Sequence, residues 1–286
     1  MRHPIFVFAG LAAVLALAAC EKEIDRDAVD RKLQDINVID ESNLNEVMLT
    51  NSDPNEAVSY FQRATASQPK RIDLQRGLAA SLIRAKRPTE AVSAWKKIVQ
   101  LEDSEADDKV QLADAYIRNN QWQEAEEVLD SVPPTHETFK RYRLEAMIAD
   151  SNKEWKKADS FYETAIGLTT TPSSVMNNWG YSKLSRGDYP GAERMFVQAI
   201  RQDTSLFTAK NNLVLARGAQ GNYTLPVVPM SQQERAELLY TLGLSAIKRG
   251  DVETGKGLFR DAIETHPQYF EAAVRSLSAL ENNTAN

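Results

Sequence analysis

The sequence predicts an all-α fold: a solenoid of antiparallel helix pairs, closed at its C-terminal end by one further helix. Three observations carry this. Alanines recur every 33 or 34 residues, at Ala57, Ala91, Ala125, Ala158 and Ala192. Each unit then has a fixed internal order. A small residue (Ala79, Ala113, Ala146, Gly180 or Gly243) is followed twelve positions on by another (Ala91, Ala125, Ala158, Ala192 or Gly255), and four beyond that stands a bulky apolar one (Trp95, Leu129, Tyr162, Phe196 or Phe259). Turn-forming runs fall between the two halves: "RNNQW" at 118–122, "RGDYPGA" at 186–192 and "RGDVETG" at 249–255. Offsets of three and four put side chains on one helix face. Two short helices joined by a tight turn pack antiparallel. The bulky residue reaches the next pair, so no unit buries its apolar face alone.

From the N-terminus, residues 1–19 read as an export signal. Arg2 precedes Ile5 to Ala19, an uncharged run that suits a signal-peptide core. It falls short of the roughly 20 apolar residues of a membrane span. Leu17-Ala18-Ala19-Cys20 resembles the lipobox of bacterial lipoproteins. That resemblance implies cleavage before Cys20, diacylglycerol on its sulfur and an acylated amino end. A plain cleaved signal with an incidental cysteine is the alternative. Cys20 is the single cysteine of the chain, so neither an internal disulfide nor a cysteine metal site can form. One acyl chain anchors a protein only marginally, whereas a multiply acylated Cys20 would hold it firmly. Glu21 stands where lipoproteins retained in the inner membrane often carry Asp, which by resemblance leans toward the periplasmic face of the outer membrane. Residues 20–37 read as a charged, lipidated tether. The net charge of −6 becomes one unit more negative when Arg2 is removed. This mildly acidic balance argues against nucleic acid and against a polybasic hold on lipid.

The array occupies 38–267, with units starting near Val38, Ile72, Ala106, Phe139, Ser173, Phe207 and Ala236. The sixth is broken. "FTAKNNLVLARGAQ" predicts its first helix, but "YTLPVVPMSQQ" carries Pro226, Pro229 and two valines where the second should begin, so 224–230 is expected to be extended. Leu225, Val227 and Val228 are expected either to fill the groove left by the missing helix or to offer a partner-binding strand. In 268–286, "YFEAAVRSLSALEN" reads as the capping helix. The pattern resembles the tetratricopeptide repeat, most clearly in "NWGYSKLSRGDYPGAERMFVQAI". Lys183 departs from it, standing where such repeats usually carry an apolar residue. The resemblance implies a right-handed superhelix whose first helices line a concave groove.

Little in the chain suggests catalysis or a cofactor. His3 lies in the signal, and His136 and His266 lack metal-ligand spacing. Neither a phosphate loop nor a nucleophile elbow is present. Trp122, Trp155, Tyr189 and Tyr223 recur at one register and read as helix-start contacts. The inward face is expected to hold Arg76, Ala80, Ile83, Arg84, Val110, Asp114, Ile117, Arg143, Met147, Asn177, Tyr181, Asn211, Leu215, Tyr240 and Leu244. Of these, Arg76, Arg143, Met147, Asn177, Tyr181, Asn211, Leu215 and Tyr240 are the candidates for holding a peptide. Asn177 and Asn211 either hold a peptide backbone through their carboxamides or bond neighbouring repeats. A two-cation, two-amide clamp for an acidic chain terminus does not recur in register.

A lipobox followed by repeats resembles the TadD family of tetratricopeptide lipoproteins of tight-adherence (Tad/Flp) pilus systems. The likeness is closest in "NNWGYSKLSRGDYPGAERMFVQAI" and "AKNNLVLARGAQGNY". It implies a pilus-biogenesis scaffold with pilus or secretin components as partners, acting like a pilotin in secretin assembly. The alternatives are a lipoprotein scaffolding outer-membrane protein insertion and one regulating a peptidoglycan enzyme in trans.

Overall fold

The structure, a computed structural model, describes residues 44–283. The signal, Cys20, the tether and the start of the first unit lie outside the described residues. Among the described residues there are fourteen helices and no strand. They run as pairs: α1 (44–50) with α2 (Pro54–Ser67), α3 (Ile72–Arg84) with α4 (Pro88–Ile98), α5 (Ala106–Arg118) with α6 (Trp122–Asp130). Then come α7 (Phe139–Ser151) with α8 (Trp155–Gly167), and α9 (Ser173–Ser185) with α10 (Tyr189–Gln202). α11 (Phe207–Ala219) stands without a second helix. α12 (Gln232–Arg249) pairs with α13 (Val252–Thr265), and α14 (Glu271–Asn283) packs on α13. From α2 on, each helix packs against its neighbours in sequence, and α5, α7 and α9 also touch the next first helix. The result is a solenoid of stacked antiparallel helix pairs.

The small-then-bulky pattern has a direct cause in the packing. A Cβ on Gly180 would lie 2.6 Å from the Phe196 ring, and one on Gly243 would lie 2.6 Å from that of Phe259. Both rings are buried and rest on the bare backbone of the paired helix. Lys183 is explained as well. Its ammonium lies over the Trp179 ring, 5.1 Å from the centroid, and Asp159 stands 3.5 Å from it. The ammonium is thus held by an aromatic face and an ion pair together.

The turn after each first helix from α3 on repeats a backbone conformation. Lys86, Asn120, Lys153, Gly187, Gly221 and Gly250 all have positive φ, the first three at 57°, 60° and 61°. A side chain in this left-handed region is strained, and glycine is not. Lys86→Gly and Lys153→Gly are each expected to stabilise the array by about 0.5–1 kcal/mol, the relief outweighing the extra chain entropy. Urea midpoints check this; lowered midpoints in both variants would contradict it.

Residues 220–231 contain no helix. α12 fills part of the space by lying directly beside α11. Thr241 Oγ1 donates to Asn211 Oδ1 at 2.8 Å, Arg249 donates to the Ala219 carbonyl at 2.8 Å, and a Cβ on Gly218 would lie 2.5 Å from Ser245. α12 also starts at Gln232, four residues before Ala236. A capping box sets that start, Ser231 and Glu234 exchanging hydrogen bonds between side chain and backbone. The extended strap fills the rest: Tyr223, Leu225 and Met230 pack on Val214, Leu238 and Leu242, and Val228 on the cluster of Phe196 and Leu213. Val227, expected among them, is instead fully exposed. The Val228 N–H donates to the Pro226 carbonyl at 3.1 Å, closing a three-residue turn with Val227 at its tip, so its side chain faces water.

Candidate binding groove

Three parallel stripes form the centre of the inner face. Each takes every fourth residue of a first helix, which keeps them on one side. They are Arg143, Met147 and Ser151 on α7, Asn177, Tyr181 and Ser185 on α9, and Asn211, Leu215 and Ala219 on α11. Two adjoining cavities open here. One, of about 530 Å³, is lined by Trp122, Met147, Asp150, Asn177, Asn178, Tyr181, Thr208 and Asn212, among others. The next, of about 570 Å³, is lined by Tyr181, Leu184, Tyr189, Leu215, Ser245, Lys248 and Arg249, among others. Tyr181 and Ser185 belong to both. Tyr181 is 58% exposed, a large aromatic with one end free for contact.

The structure therefore brings together Met147, Asn177, Tyr181 and Leu215 of the eight expected residues. The other four lie outside both cavities. Arg76 braces two repeats. Its Nε and Nη2 each donate to Asp108 at 2.7 Å, and Nη2 also reaches Glu105 at 3.1 Å. The bond to Asp108 holds the guanidinium pKa above its ordinary value. Tyr240 belongs to the cap: its ring lies 5.4 Å from those of Phe259 and Phe270, and its hydroxyl 3.2 Å from Ser276 Oγ. Asn211 accepts from Thr241. Asn177 Oδ1 likewise accepts from Asn212 Nδ2 at 3.0 Å. Both asparagine carbonyls are thus committed to a neighbouring repeat, and what remains to offer a ligand is the NH₂ group.

Arg143 lies one turn before Met147, half-buried, with its guanidinium 5.8 Å over the Phe139 ring. Its Nε is buried without an acceptor, and among the described residues Arg143 makes no hydrogen bond or ion pair. The neighbouring carboxylate, Asp114, is already claimed by Lys140 at 2.9 Å and Arg118 at 3.1 Å. Burial would raise the pKa of Asp114, but Lys140, Arg118 and Arg143 outweigh it and hold the carboxyl below its ordinary value.

Sequence reasoning missed Asp150, Asn178, Thr208 and Asn212, and assigned Trp122 to a helix-start contact alone. Asp150 accepts from Tyr162 at 2.8 Å and Ser182 at 2.6 Å. Burial nonetheless pushes its pKa up, past the opposing effect of those two bonds. Asn177 and Asn211 marked the right turn of α9 and α11, and each is followed by a second asparagine, Asn178 and Asn212. In each pair it is the inter-repeat bond that decides which amide does what, and one sequence does not carry that information.

Three tetratricopeptide-repeat family matches cover residues 49–104, 82–148 and 237–269. No curated protein matches the chain significantly. Among solved structures, the chain is similar to human IFIT1 in a dimer with PPP-AAAA, with TM-score 0.56 and 16% identity over 81% of this chain and 60% of that one. It is similar to the APC/C hetero-tetramer Cut9–Hcn1, with TM-score 0.57 and 11% identity over 82% of this chain and 48% of that one. A tetratricopeptide repeat protein from Parabacteroides merdae gives TM-score 0.56 and 12% identity over 84% and 96%. The chain thus spans less than two thirds of the length of the first two. At such identities these likenesses show the fold alone. The repeat is a protein-interaction module, and no enzymatic family is among the matches.

Proposed function

We propose that this tetratricopeptide-repeat protein is a lipid-anchored adaptor of the bacterial cell envelope that holds an extended segment of a partner protein along α7, α9 and α11. The observation that carries the reading is the pair of adjoining cavities sharing exposed Tyr181. Apolar side chains there alternate with amides and hydroxyls, a mixture suited to peptide side chains and backbone together. The anchor is Cys20, supported by the Leu17-Ala18-Ala19-Cys20 motif. The machine served is the tight-adherence pilus, supported by the resemblance of the α9–α11 sequence, with secretin assembly at the outer membrane as the step assisted.

Two substitutions test anchor and groove separately. Cys20→Ser is expected to leave helical circular dichroism unchanged and to move the protein from the membrane to the soluble fraction. Intact mass of the wild type is expected to show cleavage before Cys20 and added acyl mass; an unacylated mature protein would refute the anchor. Tyr181→Ala removes an exposed side chain and leaves the core intact. It is expected to weaken capture of purified secretin or pilus subunits about thirtyfold, as loss of an aromatic anchor of about 2 kcal/mol does. Undiminished capture by a folded Tyr181→Ala protein would exclude the groove.

A further inference from the structure

We infer that the partner segment carries an acidic side chain at one defined position: an internal Asp or Glu seated on Arg143, three to four residues from an apolar side chain in the cavity beside Tyr181. The inference rests on the reading of this face as the capture surface.

Arg143 is the starting point. Its Nε is buried without an acceptor and out of a ligand's reach, so what the guanidinium can offer a partner is its two Nη groups, which donate to no group among the described residues. The cations around it are satisfied from within the protein. Lys140 and Arg118 share Asp114, Arg141 pairs with Glu145 at 2.7 Å, and Arg76 is held by Asp108. Arg143 alone of this group forms no ion pair: the Phe139 ring lies beside it, and nearby Asp114 is already shared by Lys140 and Arg118. A carboxylate is the ligand whose geometry suits a guanidinium.

Charge fixes where the carboxylate sits. The cavity beside Tyr181 contains Asp150, whose own oxygens face Tyr162 and Ser182. A second carboxylate there meets repulsion, so the acid belongs at Arg143 and the cavity takes the apolar residue. Distance fixes the spacing. Arg143 is one helical turn from Met147, about 6 Å along the axis, and the next helix is about 10 Å away. The roughly 12 Å between them is covered by three to four residues of extended chain at about 3.3 Å each. The first helices continue on both sides, α3 and α5 before and α11 and α12 after. The acid is therefore an internal side chain rather than a chain terminus.

The test is selection of random dodecapeptides, displayed as internal inserts, on the full mature chain and on Arg143→Gln and Tyr181→Ala. Wild type is expected to enrich Asp or Glu three to four positions from Leu, Met or Phe. Arg143→Gln is expected to keep the apolar enrichment and lose the acidic one. For the best selected sequence, made as a blocked synthetic peptide, Glu→Gln is expected to weaken binding about tenfold on wild type and less than twofold on Arg143→Gln. Circular dichroism establishes that this variant is folded. Were it not, the peptide pair on wild type still decides, since a true ion pair loses its preference as salt rises. Enrichment without an acid, acidic enrichment that survives Arg143→Gln, or binding only to a free C-terminal carboxylate would overturn the assignment to Arg143. Selection that is absent, or indifferent to Tyr181→Ala, would overturn the capture surface itself.

Discussion

Phe196→Ala is expected to destabilise the centre of the array by about 3–5 kcal/mol. The ring is fully buried and packs with Ile200, Leu213 and Val228. Its edge rests where Gly180 has no side chain, so no neighbour can collapse into the space without moving a helix. In a one-dimensional array the loss is felt first by adjoining units. Amides of α9 to α11 are expected to exchange two to three orders of magnitude faster while those of α3 to α5 keep their protection. Adding Gly180→Leu is expected to restore part of the loss by supplying the volume from the opposite helix. A cost below about 1 kcal/mol for Phe196→Ala would show that the contact is not the keystone described.

Glu234→Ala is expected to cost about 3 kcal/mol, because it strands a charge. The Lys210 side chain is 3% exposed, and its ammonium lies 3.0 Å from Glu234. Lys210→Met in the same chain is expected to recover most of the loss, since an apolar side chain needs no counter-ion. Failure of that rescue would assign the cost to the capping box of α12 instead. The pair also gives the fold a pH dependence. The Glu234 pKa is lowered, first by the backbone N–H of Ser231 and then by Lys210, from an ordinary 4.5. A carboxyl whose folded pKa is depressed contributes stability above its unfolded value. That stability is lost as pH falls through the folded value. The wild-type midpoint is therefore expected to fall below about pH 4.5 by more than that of the double variant.

Much of the fold was legible because it is written in local spacing. The first helices expected near Ile72, Ala106, Phe139, Ser173 and Phe207 begin at those residues, since offsets of three, four and 34 constrain one another. Pro226 and Pro229 likewise forbid a helix wherever they stand. The start of α12 was misplaced because a cap overrode the apolar register. Val227 was misplaced because composition does not show that the chain turns on itself there. The site was half legible. Helix phase put Met147, Tyr181 and Leu215 on the inner face. It did not show that Arg76 has two carboxylates waiting in the next repeat, nor that Tyr240 is covered by Phe270 and Ser276 from the cap. Those partners come from other helices, and only the packed structure names them.

The strap at 220–231 gives the chain a place where covalent continuity is dispensable. α11 and α12 grip each other through Asn211 with Thr241, Lys210 with Glu234 and the close approach at Gly218, none of which depends on the peptide bonds between them. A nick beside Val227 should therefore leave two fragments that co-purify and reassemble when mixed. By the same logic, evolution can lengthen or replace this segment without disturbing the register of the units on either side.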